Sequence, residues 1–284
     1  MSRSATVAAR SIHPTAVIDP KANIGPGVKV GPYSVIGPNV RVGADTVIQE
    51  HAVLDGHTEV GPRCSSFTFA SVGKPPQDHT YRGEATRLVI GHDVTIREFV
   101  TVSPGTKKGG EVTRIGDHTL LMIMCHIGHD CQIGDHVVIA NQTALAGHVE
   151  VFDHAIVGAM SGIHQFCRIG EGAMVGAGTF TSQDIPPFST VQGGYRARVV
   201  GVNKIGLRRR GVSAESVAAV QSAYRALYRD GLALSDALDH VEQELGSVAE
   251  VGRLVSFYRA AKRSVAGMRR LDAVPADETA DAES

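Results

Sequence analysis

Residues 24–43 read IGPGVKVGPYSVIGPNVRVG, and this stretch decides the fold. An aliphatic residue followed by glycine recurs in it every six residues, at Ile24, Val30, Ile36 and Val42. A helix would need apolar residues about 3.6 positions apart, whereas a period of six with glycine at the corners suits short strands joined by tight turns. The stretch therefore predicts a parallel β-helix in which three six-residue units form one triangular coil.

The same period extends over most of the chain. Aliphatic residues hold the repeat position at Ile12, Ile18, Ile24, Val30, Ile36, Val42, Ile48, Leu54 and Val60, and again at Ile115, Leu121, Ile127, Ile133, Ile139, Leu145, Val151, Val157, Ile163, Ile169 and Val175. Two glycine-rich or proline-rich segments, 73–87 and 104–111, interrupt the pattern. We predict that both are loops projecting from the coil, where insertions in a solenoid commonly carry the binding site.

The period also divides the chain into parts. We predict a flexible N-terminus over 1–11, the β-helix over 12–200, a small helical domain over 201–270 and a disordered acidic tail over 271–284. A prism of this kind has flat faces and exposed edges, and a closed cyclic oligomer would bury one face of each copy. We therefore expect a homotrimer.

Two capped helices are predicted in the helical domain. Ser213 is a good N-cap, and an apolar stripe follows it until Gly231 ends the helix. Ser247 and Glu250 match a capping box for a second helix. The stripe of that second helix consists of Val251, Leu254, Tyr258 and Ala261.

Composition excludes several classes of function. The chain has 28 basic and 29 acidic residues, so its formal charge of −1 gives no electrostatic footprint for a nucleic acid. No apolar run reaches the roughly 18 residues of a transmembrane helix, and the first residues lack a signal-peptide pattern. The four cysteines form no C-x-x-C pair, which is typical of reduced, structural thiols. We predict a cytoplasmic protein without a transmembrane segment and without a nucleic-acid partner.

Four histidines are predicted to lie along one strip of the prism. They are His126, His129, His148 and His164. Their spacing along the chain, from His129 to His148 and from His148 to His164, is close to one coil of three six-residue units. An imidazole can accept and donate protons near neutral pH, and Asp130 beside His129 can fix its tautomer if the two share a corner.

Two other interpretations of these histidines stay open. They could be ordinary turn residues, or they could bind zinc, as three imidazoles do on the related β-helix of the gamma-class carbonic anhydrases. A basic run, Lys204 to Arg210, joins the coil to the helices and contains three consecutive arginines. Three interpretations of this run stay open. Its guanidinium groups could bind a diphosphate, form a docking patch for an acidic carrier protein, or simply be solvated.

With these motifs in hand, the chain resembles the bacterial UDP-N-acetylglucosamine O-acyltransferases that carry out the first step of lipid A biosynthesis. The resemblance covers residues 12 to about 270, and its specific stretches are 120–123, 126–131, 145–149, 164–167, 183–187 and 201–203. It implies a left-handed parallel β-helix that forms a homotrimer. It also implies transfer of a 3-hydroxyacyl group from the phosphopantetheine of acyl carrier protein to the 3-hydroxyl of UDP-N-acetylglucosamine, with no metal or further cofactor.

The resemblance assigns roles to residues of this sequence. His129 is implied to be the general base, Asp130 its orienting carboxylate and Gly147 the backbone oxyanion donor. The residues implied to bind the nucleotide sugar or the acyl pantetheine are Gln77, Asp78, His126, His148, His164, Gln165, Asn203, Arg209 and Arg210. Because a thioester is already activated, neither a serine nor a cysteine nucleophile is expected.

Three residues depart from the pattern of the best-known members. Ala177 stands where they have the glycine that floors the acyl groove, so its methyl group predicts a preference for a shorter acyl chain. Ile205 replaces an acidic residue and Thr80 a basic one near the nucleotide, which leaves the nucleotide affinity open.

One further acyltransferase activity remains open from the sequence, and a second is disfavoured. N-acylation of a 3-amino UDP-sugar would need the same base and oxyanion donor. An N-acyltransferase that acts later in the same pathway shares the fold but carries an extra N-terminal domain, and hexads that begin at Ile12 leave no room for one.

Overall fold

The protein folds as a parallel β-helix followed by four helices, in a computed structural model that describes residues 10–194 and 197–267. Before the first loop the strands are β1 (Ser11–Ile12), β2 (Val17–Ile18), β3 (Asn23–Ile24), β4 (Lys29–Val30), β5 (Val35–Ile36), β6 (Arg41–Val42), β7 (Val47–Ile48), β8 (Val53–Leu54), β9 (His57–Val60), β10 (Ser65–Ser66) and β11 (Ser71–Val72). Between the loops they are β12 (Arg87–Ile90), β13 (Thr95–Ile96) and β14 (Thr101–Val102).

The strands after the second loop continue the stack. They are β15 (Val112–Ile115), β16 (Leu120–Leu121), β17 (His126–Ile127), β18 (Gln132–Ile133), β19 (Val138–Ile139), β20 (Ala144–Leu145), β21 (Glu150–Val151), β22 (Ile156–Val157), β23 (Gly162–Ile163), β24 (Arg168–Ile169), β25 (Met174–Val175), β26 (Phe180–Thr181), β27 (Ser189–Gln192) and β28 (Arg198–Val202). The last pair, β27 and β28, is antiparallel, so the stack ends with a strand that runs against the others.

Three sheets form the faces of the prism. The first face follows β1-β4-β7-β10-β13-β16-β19-β22-β25-β27-β28, the second β2-β5-β8-β11-β14-β17-β20-β23-β26, and the third β3-β6-β9-β12-β15-β18-β21-β24. We call the edges between them corner 1–2, corner 2–3 and corner 3–1. Each strand pairs in parallel with its equivalent in the next coil, as Ser11 of β1 does with Lys29 of β4.

The aliphatic row predicted from the repeat forms the interior. One residue of each two-residue strand points inward, and Ile48, Leu121, Ile139 and Val157 are each at most 1% exposed. Small polar residues fill the inside of the corners because their hydroxyl groups reach the backbone of the next coil. Thr46 Oγ1, for example, donates to the Gly61 carbonyl at 2.9 Å. This satisfies groups that would otherwise be buried without partners.

The two loops leave the coil without disturbing its register. Ser65 pairs with Thr95 across the first loop and Thr95 with Leu120 across the second, and the strands on either side align as in the regular coils. The inserted residues therefore project from the prism. In the chain, the loops fall between β11 and β12 and between β14 and β15, so both leave from corner 2–3.

The corner residues adopt a left-handed backbone. Tyr33, Asp130 and His148 have φ values of 57°, 62° and 63°. Such values are uncommon for residues with a side chain, and here hydrogen bonds between coils hold them. The His148 N–H donates to the His129 carbonyl at 2.9 Å. Each corner side chain is thereby fixed directly above its equivalent in the coil before.

Four helices follow the coil, and the sequence predicted only two of them. They are α1 (Lys204–Arg209), α2 (Ala214–Tyr228), α3 (Leu234–Leu245) and α4 (Ala249–Arg259). The Ser213 hydroxyl caps α2 as predicted, accepting the Ser216 N–H at 3.1 Å, but α2 ends at Tyr228, before Gly231. None of the described helices combines the length and apolar character that crossing a membrane requires.

The capping box predicted for α4 does not form. The N-cap residue is Val248, without a side-chain cap, and Ala261 lies beyond the end of the helix. The reason is the turn after α3, in which the Val248 N–H donates to the Leu245 carbonyl at 3.0 Å and moves Ser247 out of the capping position. The predicted tail 271–284 and most of the predicted flexible N-terminus 1–11 lie outside the described residues.

A buried ion pair attaches the helices to the coil. Arg168 on the third face donates to Asp184 at 2.8 Å and to the Phe257 carbonyl at 3.0 Å. Its guanidinium group also lies 4.2 Å from the centre of the Phe257 ring. Because Asp184 is only 1% exposed, this contact fixes α4 against the final coils.

One interior position departs from the aliphatic row and predicts a stabilising substitution. Ser66 occupies it, its buried hydroxyl has no partner, and it lines a small cavity with Thr46 and Ile96. We expect Ser66→Val to raise the free energy of unfolding by about 1 kcal/mol or more, because an unsatisfied polar group is replaced by apolar volume. Chemical denaturation measures the change.

The matched control is Thr46→Val in the same cavity. Thr46 also accepts the Cys64 N–H at 3.1 Å, so its loss leaves the buried Cys64 N–H and the partly buried Gly61 carbonyl without these partners. We expect this variant to be destabilised by about 1–3 kcal/mol. Equal destabilisation of both variants would show that the Ser66 hydroxyl contributes to stability.

Candidate active site

The densest group of titratable side chains lies on corner 2–3, where both loops emerge. His129 and Asp130 are adjacent at the turn, and His129 Nδ1 lies 2.8 Å from Asp130 Oδ2. A carboxylate accepts only, so Nδ1 carries the proton and Nε2 is left as the acceptor of this imidazole. The corner that the sequence required for this pairing is therefore present.

The Asp130 carboxylate is held from three sides. Its side chain is fully buried. Thr106, from the second loop, donates its N–H to Oδ1 at 2.8 Å and its hydroxyl to Oδ2 at 2.7 Å. The Asp130 N–H in turn donates to Thr113 Oγ1 at 2.8 Å. With His129 these bonds satisfy both carboxylate oxygens, which compensates for the loss of water around a buried charge.

His148 lies one coil above this pair. Its ring meets the His129 ring edge to face, with centres 5.0 Å apart, and stacks on Phe166 at 4.3 Å. Burial lowers the pKa of His148. The neutral form of this ring is therefore favoured at neutral pH, and it can accept as well as donate a hydrogen bond.

Gly147 is required by the close approach of the chain to His129. A Cβ atom at this position would lie 2.5 Å from His129 Cε1 and 2.7 Å from Nε2. Gly147 is buried, and among the described residues its N–H makes no backbone hydrogen bond. The arrangement places an unused N–H donor alongside the basic edge of the imidazole.

The first loop brings a second carboxylate to this corner. The Thr80 N–H and hydroxyl donate to Asp78 at 2.8 and 2.9 Å, and these hydrogen bonds lower the pKa of Asp78. Asp78 also acts electrostatically on His148. Thr80 thus organises the loop, while Gln77 is exposed beside it.

A groove runs from this corner across the second face. Its walls include His126, Ala146 and His164, its floor Ala144 and Gly162, and Phe180 stands at its far side. His126 is fixed by Thr101 Oγ1, 2.7 Å from its Nδ1, and burial lowers its pKa. The small floor residues leave an apolar channel next to the histidines.

The predicted chain-length residue lies outside this lining. Ala177 is exposed on corner 1–2, whereas Phe180 covers the floor, with its ring 2.7 Å from the point where a Gly162 Cβ would be. Gln165 is exposed on corner 2–3, in the coil above Gly147. Within one protomer the groove is therefore closed by Phe180.

The predicted phosphate-binding residues lie at a different corner. Asn203 caps α1, accepting the Gly206 N–H at 2.9 Å, and donates to the Gly172 carbonyl at 3.0 Å. Arg210 pairs with Glu171 on corner 3–1. The three arginines therefore do not act as one free clamp. Only Arg208 and Arg209 are exposed, together with Ile205.

The zinc interpretation can be compared with this geometry. One ligand atom each from His129, Asp130 and His148 lies within 4.8 Å of the others, so the group has the dimensions of a metal site. Both Asp130 oxygens, however, already accept hydrogen bonds from Thr106. The geometry thus favours an orienting role for Asp130 over a ligand role.

The cysteines are buried and reduced, as predicted. Burial raises the pKa of Cys125 and of Cys131 to about 12. A thiol with such a pKa carries almost no thiolate at neutral pH, which disfavours a nucleophilic role.

Sequence reasoning missed the residues that hold the site in place. Thr101, Thr106, Thr113 and Phe166 contact His126, Asp130 or His148, yet each is an ordinary strand or loop residue in the sequence. The positions of Phe166 and Thr113 could have been predicted, because equivalent residues of successive coils stack on one another. The position of Thr106 could not, because it lies in an irregular loop.

Two family models match the chain. The model described as Udp N-acetylglucosamine O-acyltransferase, domain 2, matches residues 184–266, and the bacterial transferase hexapeptide model matches 11–44, 21–56 and 113–147. These matches bear out the predicted fold class, a left-handed parallel β-helix followed by a small helical domain.

Curated relatives and solved structures match nearly the whole chain. Acyl-[acyl-carrier-protein]--UDP-N-acetylglucosamine O-acyltransferases from Syntrophobacter fumaroxidans and Halorhodospira halophila are 44% and 48% identical, each over 89% of this chain and 98% of the relative. A crystal structure of UDP-N-acetylglucosamine O-acyltransferase from Moraxella catarrhalis is 39% identical, covers 89% of this chain and 98% of its own, and superposes with a TM-score of 0.86.

Proposed function

The chain belongs to the UDP-N-acetylglucosamine O-acyltransferase family, and we propose that corner 2–3 carries out its reaction with His129 as the general base. The activity is acyl transfer from acyl carrier protein to UDP-N-acetylglucosamine, as in the relatives. We propose the sugar 3-hydroxyl as acceptor, a 3-hydroxyacyl group as donor, and a place at the first step of lipid A biosynthesis, in the cytoplasm.

The His129–Asp130 pair is the observation that carries this proposal. With Nδ1 bonded to Asp130 at 2.8 Å, Nε2 is free to take the proton of the attacking hydroxyl. The hydroxyl oxygen forms a bond to the thioester carbon, and the carbonyl oxygen becomes an oxyanion. Collapse of this intermediate breaks the carbon–sulfur bond, and the thiolate takes the proton back from Nε2.

Gly147 supplies the second part of the mechanism. Its free N–H next to the imidazole is suited to stabilise the oxyanion, a contribution of about 3–4 kcal/mol for one donor in other enzymes. The buried cysteines and the activated thioester together favour direct transfer without an acyl-enzyme intermediate. No metal or other cofactor is needed for these steps.

We expect His129→Gln to lower kcat by about a hundredfold to ten-thousandfold, the usual contribution of a positioned base. Steady-state assays with UDP-N-acetylglucosamine and an acyl-[acyl carrier protein] measure this. His57→Ala is the matched control, because His57 is also a histidine of the coil but lies exposed on the third face. It should keep its rate.

The alternatives give different results in the same assay. Loss of activity after dialysis against a chelator, restored by Zn²⁺, would favour the zinc enzyme. Faster transfer to a 3-amino UDP-sugar than to UDP-N-acetylglucosamine would favour N-acylation. An unreduced rate in His129→Gln would contradict the proposed base.

The groove on the second face is proposed to hold the acyl chain. It begins beside His126 and His164 at the catalytic corner, and its floor of Ala144 and Gly162 admits an alkyl chain. Phe180 lies across this floor. A ring at this point should limit chain length more directly than the methyl group of Ala177.

We expect Phe180→Ala to shift the preferred donor towards longer acyl chains, with the relative rate for the longer donor raised at least about tenfold. Competition assays with acyl-[acyl carrier proteins] of graded length measure the shift. Ala177→Gly is the comparison variant. A shift in Ala177→Gly alone would assign the limit to Ala177, and an unchanged preference in both would contradict the proposed groove.

The surface of the prism supports a trimer. On corner 1–2 the rings of Tyr33, His51, Phe69 and Phe99 stack at 5.1–5.2 Å, and Met124 and Met160 continue the row. These apolar side chains are about half exposed in one protomer. A row of this length on a surface typically marks an interface.

The outward residues of the three faces differ in polarity. In a trimer two faces of each copy would be covered and the third would stay in contact with solvent. Outward residues of the first face are largely apolar, including Leu120, Val138 and Ile156, and those of the second are small or apolar. The third face carries Arg41 and Glu150. With corner 1–2 on a threefold axis, the first face of one copy packs on the second face of the next.

This arrangement would also complete the active site. Corner 3–1, with its arginines, lies at the outer edge of the first face, and corner 2–3, with His129, lies at the outer edge of the second. The two corners are apart in one protomer but adjacent across such an interface. We propose that the exposed Arg208 and Arg209 meet the substrate phosphates from the partner subunit, while Arg210 stays paired with Glu171.

We expect Phe99→Asp to dissociate the trimer, because it places three carboxylates near one axis without counter-ions. Light scattering coupled to size exclusion measures the mass, and circular dichroism checks that the protomer stays folded. Glu150→Lys on the third face is the charge-changing control and should remain trimeric. A Phe99→Asp protein of unchanged mass would contradict this geometry.

A further inference from the structure

A second cluster of ligand-type side chains lies on corner 3–1, apart from the catalytic corner of the same protomer and about one coil before His129 in the stack. It consists of His92, Asp93 and His118, and one nitrogen or oxygen atom of each lies within 4.8 Å of the others. We propose that these three residues form a binding site for a divalent transition-metal ion of the Zn²⁺ class. Two imidazoles and one carboxylate are a ligand set that such ions prefer.

A further carboxylate orients the first imidazole. The Asp117 carboxylate lies against this ring, with Oδ2 2.8 Å from His92 Nε2, and its Oδ1 accepts the His92 backbone N–H at 2.8 Å. The other ring nitrogen, Nδ1, lies 2.6 Å from Asp93 Oδ2. A carboxylate beside a metal-binding histidine is a common arrangement, because it fixes the orientation of the ring. Asp117 is therefore a positioning residue of the site.

The backbone holds the three ligands in place. The His92 N–H donates to Asp117 Oδ1 at 2.8 Å, the Asp93 N–H to the Pro62 carbonyl at 3.0 Å and the His118 N–H to the His92 carbonyl at 3.0 Å. Asp93 and His118 both have a φ of 56°. The ligands thus lie on adjacent coils of a rigid stack, which lowers the ordering cost of binding an ion.

An arginine currently occupies part of the position of the ion. Arg63 Nη2 and Nε donate to Asp93 at 2.5 and 2.9 Å. The two hydrogen bonds hold the Asp93 carboxylate at the position that it has in the cluster. The Arg63 side chain is 54% exposed and can turn into solvent when an ion arrives. It competes with the metal but does not block the site.

The next histidines of the same corner lack this geometry. His136 and His154 stack face to face, 4.8 Å apart and tilted by 5°, and His136 stacks in the same way on His118. Asp135 and Asp153 beside them accept backbone N–H groups of the coil below, at 2.7 and 2.9 Å. Among the described residues, the only other cluster of the required size is that of His129 in the active site.

The site is tested on the full chain carrying His129→Gln, a substitution that weakens metal binding at the other cluster. Titration calorimetry with ZnCl₂ measures the affinity, and the visible spectrum of bound Co²⁺ reports the ligands. We expect one ion per chain. His92→Ala and His118→Ala should each weaken binding at least tenfold, and Asp117→Asn about tenfold to a hundredfold. His154→Ala is the matched control: His154 lies further along the same corner, stacked on His136, and the variant should bind as the parent does.

Arg63→Ala gives the sharpest result, because removal of the competing guanidinium group should strengthen binding while most surface substitutions would leave it unchanged. Binding of less than one ion per chain would overturn the proposal. So would equal affinity in His118→Ala and the parent, or equal loss in His118→Ala and His154→Ala. With His129 intact, His118→Ala should keep its acyltransferase rate, so a failure here is distinct from a failure of the catalytic assignment.

Discussion

The hydrogen bonds between coils are the constraint on which the rest of the structure depends. Each strand pairs with its equivalent in the next coil, and the same face of every coil must therefore receive the same kind of residue. A shift by one residue would turn the aliphatic row outwards and the polar residues inwards. Insertions are tolerated only where the chain leaves the stack and returns in register, as both loops do.

The same constraint builds the catalytic corner. Because corner residues stack at intervals of one coil, Asp130, His148 and Phe166 lie above one another, and so do His129 and Gly147. A turn in the left-handed conformation lets two neighbouring side chains, His129 and Asp130, meet where a flat strand would separate them. The site is thus an ordinary corner of the repeat to which loop residues have been added.

The period of six was enough to predict the interior row, the positions of the loops and the His129–Asp130 pair. Contacts that depend on irregular backbone could not be predicted. Thr106 reaches Asp130 from a glycine-rich loop, and Arg210 meets Glu171 from a distant part of the chain. The short helix α1 and the absence of a cap at Ser247 could not be predicted either. Tertiary packing outweighs local propensity at α1, and the preceding turn outweighs it at Ser247.

The reversed direction of β28 has a consequence for how prisms could associate end to end. A fibre of stacked prisms needs a parallel strand edge to be available at both ends of every copy. At the C-terminal end β28 runs antiparallel to β27, and α2 packs beside it, so no further parallel coil can continue the first sheet there. Polymerisation through the edge strands of the first sheet would therefore stop at a pair joined through the β1 ends, which limits the growth of filaments along that face.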